Sequence, residues 1–94
     1  MSHVVVKHKV KDYSAWKSVF DNFKDVRKKG GEKSYQIYQP EDDPNNLILH
    51  FEWDTRDRAK SFMQSEELKS AMKNARVTEA PEVYFTELAA EGKL

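Results

Sequence analysis

The sequence predicts an α+β fold of the ferredoxin-like type, with elements in the order β-α-β-β-α-β. Three observations predict it. The opening stretch "HVVVKHKV" is valine-rich and alternates, the pattern of a strand with one buried face. Two longer stretches carry apolar residues at helical spacing with charges between them, the pattern of helices packed on one side. Strand-like runs flank both stretches, so each helix is a crossover. Right-handed crossovers put both helices on one face of an antiparallel sheet, with the first and third strands adjacent at its centre.

Each element has its own signals. Ser2 to Val10 forms the first strand, with Val4, Val6, His8 and Val10 on one face. Asp12 is an N-cap for the first helix, whose apolar stripe is Trp16, Val19, Phe20, Phe23 and Val26. Gly30 and Gly31 end it, after Arg27, Lys28 and Lys29, cations that suit a helix C-terminus. "KSYQIYQ", Lys33 to Gln39, is the second strand, and "PEDDPNN" a loop by composition. "LILHFEW", Leu47 to Trp53, is the most apolar strand. Asp54 or Thr55 caps the second helix, where Ala59, Phe62 and Met63 point one way. Ser65 with Glu66 and Glu67 marks a fresh N-terminus, so this helix bends near Gln64 before Leu68, Ala71, Met72 and Ala75 continue the stripe. Glu82 to Leu88 is the last strand. With Leu47, Leu49, Phe51 and Trp53 turned to the helices, the uncovered sheet face carries His3, Val5, Lys7, Lys9, Ile48, His50 and Glu52. That face is mixed rather than polar, which suits a second copy of the chain.

Composition narrows the function classes. The 94 residues make a single domain, 1–94, with 89–94 a loose tail. Sixteen basic and sixteen acidic residues give no net charge, which argues against nucleic acid as a partner. There is no cysteine, so thiolate metal sites and cysteine nucleophiles are excluded. No long apolar run and no signal peptide are read, so the expectation is a cytoplasmic protein with no membrane partner. No glycine-rich phosphate loop precedes a helix. No metal and no cofactor are expected.

His8 is the residue of most interest, an imidazole in a row of valines. It is either a core histidine satisfied by a hydrogen bond or a base in a pocket wall. The readings differ in titration. A pocket histidine open to water titrates near neutral pH, whereas a buried one stays neutral into acid. His50 has the opposite parity, so the two histidines point to opposite sides of the sheet and make no metal pair. His50 and Glu52 read as a hydrogen-bonded or ionic cluster on the uncovered face. Trp16, Phe20, Phe51, Phe62 and Met72 read as core or as the lining of a site for a flat ring. Tyr35 and Tyr84 are candidate hydroxyl donors to the same ligand. Arg56 and Arg58, in a helix first turn, are cations at the unfavourable end of the dipole.

The stretch "LHFEWDTRDRAKSFMQSEELKSAMKNA", together with "HKVKDYSAWKSVFD", resembles the antibiotic-biosynthesis-monooxygenase-like proteins of the dimeric α/β barrel superfamily. The resemblance covers nearly the whole chain and rests on apolar patterns. It implies a homodimer whose sheets pack face to face, and a pocket in each subunit between helices and sheet. It also implies two activities, cofactor-independent oxygenation of phenolic polyketides and haem degradation. In the haem-degrading branch the iron-ligating histidine of the second helix matches Met72, the tryptophan matches Phe62, and the first-strand asparagine falls near His8. Two of these three positions depart from that pattern, which disfavours haem chemistry. The leading expectation is a small-molecule-binding protein, a cofactor-independent monooxygenase acting on an aromatic or quinone-like compound, with His8 as base. The alternative is a non-enzymatic ligand-binding or stress-related dimer with the same pocket.

Overall fold

The computed structural model describes residues 1–75, 77 and 79–94. Its elements are β1 (Ser2–Lys9), α1 (Tyr13–Asn22), α2 (Lys24–Gly30), β2 (Glu32–Tyr38), β3 (Asn46–Trp53), α3 (Arg56–Met63), α4 (Glu66–Asn74) and β4 (Glu82–Thr86). The strands form one antiparallel sheet in the order β2-β3-β1-β4. This is the α+β, ferredoxin-like arrangement the sequence predicts, with each helical crossover divided in two.

The register places alternating residues as expected. Val4 pairs with Phe51, Val6 with Leu49 and His8 with Leu47, and all six are buried among the side chains of the helices. The predicted caps form. The Asp12 carboxylate accepts from Ala15 N at 3.0 Å, the Thr55 hydroxyl from Arg58 N at 3.2 Å, and the Ser65 hydroxyl from Leu68 N at 3.2 Å. Gly31 closes α2 at φ 120°, a left-handed conformation that disfavours any side chain. A Cβ on Gly30 would meet the Phe62 ring at 2.7 Å, so Gly30 lets α2 and α3 approach, while one on Gly31 would meet Asp54 and the Trp53 indole at the end of β3.

Three details correct the sequence reading. The first helix is not continuous: Phe23 leaves helical geometry at φ −89°, ψ 4°, its N–H shared between the Val19 and Phe20 carbonyls. Arg27 keeps the helical phase of Trp16, Phe20 and Phe23, while Val26 falls at the margin of that stripe. Val26, assigned to the apolar stripe, is 36% exposed, and Arg27 is buried at 4%. The last strand stops at Thr86, two residues early. Arg56 and Arg58, at the unfavourable end of the helix dipole, are half exposed on a solvated face. Arg56 pairs with Glu87 at 2.8 Å, while Arg58 pairs with Asp54 and donates to the Lys29 carbonyl in the last turn of α2 at 2.6 Å.

The uncovered face carries the residues assigned to it. His3 Nδ1 lies 2.9 Å from His50 Nε2, their rings stacked at 5.1 Å, and His50 Nδ1 lies 2.9 Å from Gln36 Oε1. Ser34 donates to Glu52 at 3.1 Å. Beside this polar row, Ile48, Tyr38 and Tyr84 are exposed.

Candidate functional site

A cavity lies between the sheet and the helices, with β1 and β3 as its floor. His8, Trp16, Phe20, Phe51, Phe62 and Met72 all contribute to its lining. The sequence-assigned set therefore comes together, with two departures. Tyr84 pairs with Val5 on the opposite sheet face, is half exposed, and donates its hydroxyl to Glu82 at 3.1 Å. Tyr35 is on the helix side, across from Phe51, but packs edge-on against the outer side of Phe20 at 5.0 Å and is 41% exposed. Neither tyrosine lines the cavity. Strand parity decides the first case, and the position of β2 at the sheet edge decides the second.

The aromatic rings form a continuous wall. Trp16 meets His8 edge-on at 6.0 Å and stacks on Phe20 at 4.9 Å, and Phe20 faces Phe51 at 6.2 Å. Phe62 closes the far side against Trp53 at 5.1 Å. Trp53 is fully buried and donates its indole N–H to Gly30 O at 3.1 Å. The opposite wall is different in kind. Leu68, Ala71 and Met72 line it from α4, a helix with no buried residue. A helix that buries so little is the part of the wall that yields at least cost, and methionine adapts its shape readily.

The cavity measures about 80 Å³, against the roughly 150 Å³ that accommodates a benzene ring. A flat ring therefore needs more room than the empty cavity offers, and α4 is the wall with the least buried surface to hold it in place.

Polar groups meet this apolar surface at two places. His8 is 6% exposed, and its Nε2 is buried with no hydrogen-bond partner among the described residues. Burial pushes its pKa down to about 4, because the charged ring loses its hydration. The two sequence readings of His8 are thus not exclusive: it faces the cavity, yet it has the titration of a core histidine. The ring is neutral at physiological pH, and in the Nδ1–H tautomer its free Nε2 is an acceptor.

The second place is one the sequence reading missed. Arg27 and Glu32 form an ion pair with both side chains more than nine-tenths buried, and both line the cavity. Arg27 also donates to the Phe20 carbonyl at 3.2 Å and lies over the Phe20 ring at 3.6 Å. Burial pushes the Glu32 carboxyl up to about 7, against the opposing pull of Arg27. The signal was present in the spacing. Residues 16, 20, 23 and 27 follow one helical stripe, but a cation at its end was read as complementing the helix dipole.

Among the described residues, no group of three or more histidine, aspartate or glutamate side chains is placed to hold a metal ion. No helix is long and apolar enough to cross a membrane among the described residues.

Comparison with known proteins bears on the same region. The sequence pattern of the antibiotic biosynthesis monooxygenase family matches residues 1–74. No curated protein matches the chain. Among solved structures, a candidate antibiotic biosynthesis monooxygenase from Bordetella bronchiseptica is 15% identical, with a TM-score of 0.79 over 95% of this chain and 97% of that one. SnoaB of Streptomyces nogalater, a cofactor-independent oxygenase, is 13% identical, with a TM-score of 0.77 over 96% and 94%. A conserved protein from Methanosarcina mazei is 19% identical, with a TM-score of 0.70 over 90% and 89%. At these identities the likeness carries the fold.

Proposed function

The chain belongs to the antibiotic biosynthesis monooxygenase family, and from that premise we propose that it binds a flat aromatic or quinone-like molecule in the helix–sheet cavity and oxygenates it without a cofactor. The observation that carries this reading is the unpartnered, buried Nε2 of His8 on a cavity wall rich in aromatic rings. A buried acceptor left without a donor is costly, and a ligand hydroxyl or acidic C–H supplies one. Trp16 and Phe20 hold the ring against the sheet.

The chemistry needs a substrate that reduces oxygen itself. His8 takes a proton from a ring methylene activated by its neighbours. The carbanion transfers an electron to O2 and combines with it as a peroxide, which loses water. A CH2 group and one O2 become a ketone carbonyl and one H2O. A pKa near 4 makes isolated His8 a weak base. The imidazolium forms beside the substrate anion, however, and their attraction in a dry cavity offsets the desolvation that lowers it.

The low basicity of His8 favours a second reading, a dimer that binds the same ligand without turnover. Oxygen uptake separates the two. With anthrone as probe, the protein is expected to consume O2 and form anthraquinone with one O2 per anthrone. Tight anthrone binding with uptake no faster than in buffer would select the binding-only reading.

We further infer a homodimer joined through the uncovered sheet faces. Exposed Ile48, Tyr38 and Tyr84 border the His3–His50–Gln36 row there, a mixed surface of the kind that suits a second copy of so small a chain. Light scattering at micromolar concentration is expected to give twice the 11.0 kDa chain mass. A monomer mass would overturn this.

A further inference from the structure

We propose that Arg27 and Glu32 form a recognition pole that selects neutral ring ligands bearing a hydrogen-bond acceptor beside a donor, such as a carbonyl next to a hydroxyl or a primary amide, over ligands bearing a carboxylate. This rests on the cavity being a ring-binding site, as proposed above.

The pole is separate from His8. Across the sheet register, His8 lies opposite Leu47 and Glu32 opposite Trp53. His8, Trp16, Phe20 and Arg27 follow one another at 6.0, 4.9 and 3.6 Å between their ring or guanidinium centres, so the two polar ends of the cavity lie no more than about 15 Å apart. Trp16 and Phe20 fill the space between as a stacked pair.

The arrangement of the pair leaves two atoms free. Arg27 Nη1 donates to Glu32 Oε2, and Nη2 donates to the Phe20 carbonyl. Arg27 Nε and Glu32 Oε1 are buried with no partner among the described residues. One is an obligate donor. The other, in the ionised carboxylate, is an acceptor. Buried polar atoms in folded proteins are nearly always paired, and the two residues are in contact and line the same cavity, so the inferred ligand carries an acceptor for Nε and a donor for Oε1 on one edge. The guanidinium is held in place by its contact with Phe20 at 3.6 Å, and both free atoms are closed to solvent in the empty protein, so a ligand edge reaches them by displacing neighbouring side chains.

Charge sets what is refused. Arg27 and Glu32 together are neutral, so the pole offers no net attraction to an anion. A ligand carboxylate that accepts from Nε would set its other oxygen against Glu32 Oε1, two acceptors with no proton between them. A ketone alone would satisfy Nε and leave Oε1 unpaired.

Three naphthalenes of nearly equal size test this by calorimetry at pH 8, where Glu32 is ionised: 2-naphthamide, 2-acetylnaphthalene and 2-naphthoate. The wild-type protein is expected to bind the amide about tenfold or more tighter than the other two, as sites with buried polar groups reject ligands that leave them unpaired. The double variant Arg27→Met/Glu32→Leu is expected to retain 2-acetylnaphthalene and to lose the preference for the amide. Glu32→Gln keeps an amide oxygen for Arg27 and turns the free acceptor into a donor. Its preference is expected to move from the amide toward the ketone and the carboxylate. Equal affinities in the wild type, or an amide preference unchanged in either variant, would overturn the inference and leave the ring-binding site standing. Failure of all three probes to bind the wild type would overturn both.

Discussion

Glu32→Leu alone is expected to destabilise the protein by about 3–5 kcal/mol, the usual cost of stranding one member of a buried ion pair. The guanidinium of Arg27 cannot shed its charge, and at 4% exposure it has no route to water. Arg27→Met should cost less below neutral pH, because the Glu32 carboxyl, already pushed up to about 7, escapes its burial by taking a proton. Replacing both residues with apolar side chains of similar volume should bring stability back to within about 1 kcal/mol of wild type. Urea unfolding of the four proteins measures this. Additive losses in the double variant would mean that the two side chains do not act as a pair.

The same variants separate two opposed titrations. Glu32 has a folded pKa of about 7, above its ordinary 4.5. The folded state takes that proton first, so this contribution is fully present below pH 4.5 and is lost as pH rises through 7. His8 has a folded pKa of about 4, below its ordinary 6.5. The unfolded state takes that proton first, so this contribution is fully present above pH 6.5 and is lost as pH falls through 4. Each is worth about 3 kcal/mol over nearly the same window, with opposite sign. Between pH 7 and 4 the two cancel in the wild type. In the double variant only His8 remains, and stability should fall by about 3 kcal/mol across that range.

What was legible in the sequence was whatever strand parity and caps determine. The alternation in β1 placed His8 on the helix side and His3 on the other, and the same parity in β3 separated His50 from His8. Asp12 and Ser65 marked helix starts by their side-chain chemistry. Legibility ended where residue type and spacing disagree. Phe23 is apolar and helix-compatible, so nothing in its type announces a break, and Arg27 lies on the buried stripe by spacing while its charge argues for solvent. Glu32 lies just outside the strand predicted from Lys33, although β2 begins at Glu32, and its burial beside Arg27 has no signal in its own neighbours in sequence. Tyr84 was grouped with the cavity by residue type, against its own parity. The reach of Tyr35 depends on where the edge strand sits, which spacing within the strand does not encode.

His8→Asn should retain the fold and lose oxygen uptake by about 10²–10⁴-fold, the usual contribution of a positioned general base. Asparagine keeps a hydrogen-bonding side chain at the cavity wall but takes no proton, so anthrone binding should persist while turnover stops. A variant that keeps its rate would remove His8 from the chemistry. A variant that loses binding and turnover together would make it a packing residue.

The most direct test is the imidazole of His8 itself, followed by nitrogen NMR across a pH series with and without anthrone under nitrogen gas, where no turnover occurs. In the free protein the ring is expected to stay neutral down to about pH 4. With anthrone bound, the Nε2 resonance should shift and the ring should hold a proton at higher pH, since the free nitrogen then has a donor and an anion beside it. A His8 spectrum that is the same with the cavity occupied and empty would contradict the account, leaving the histidine as part of the valine row and nothing more.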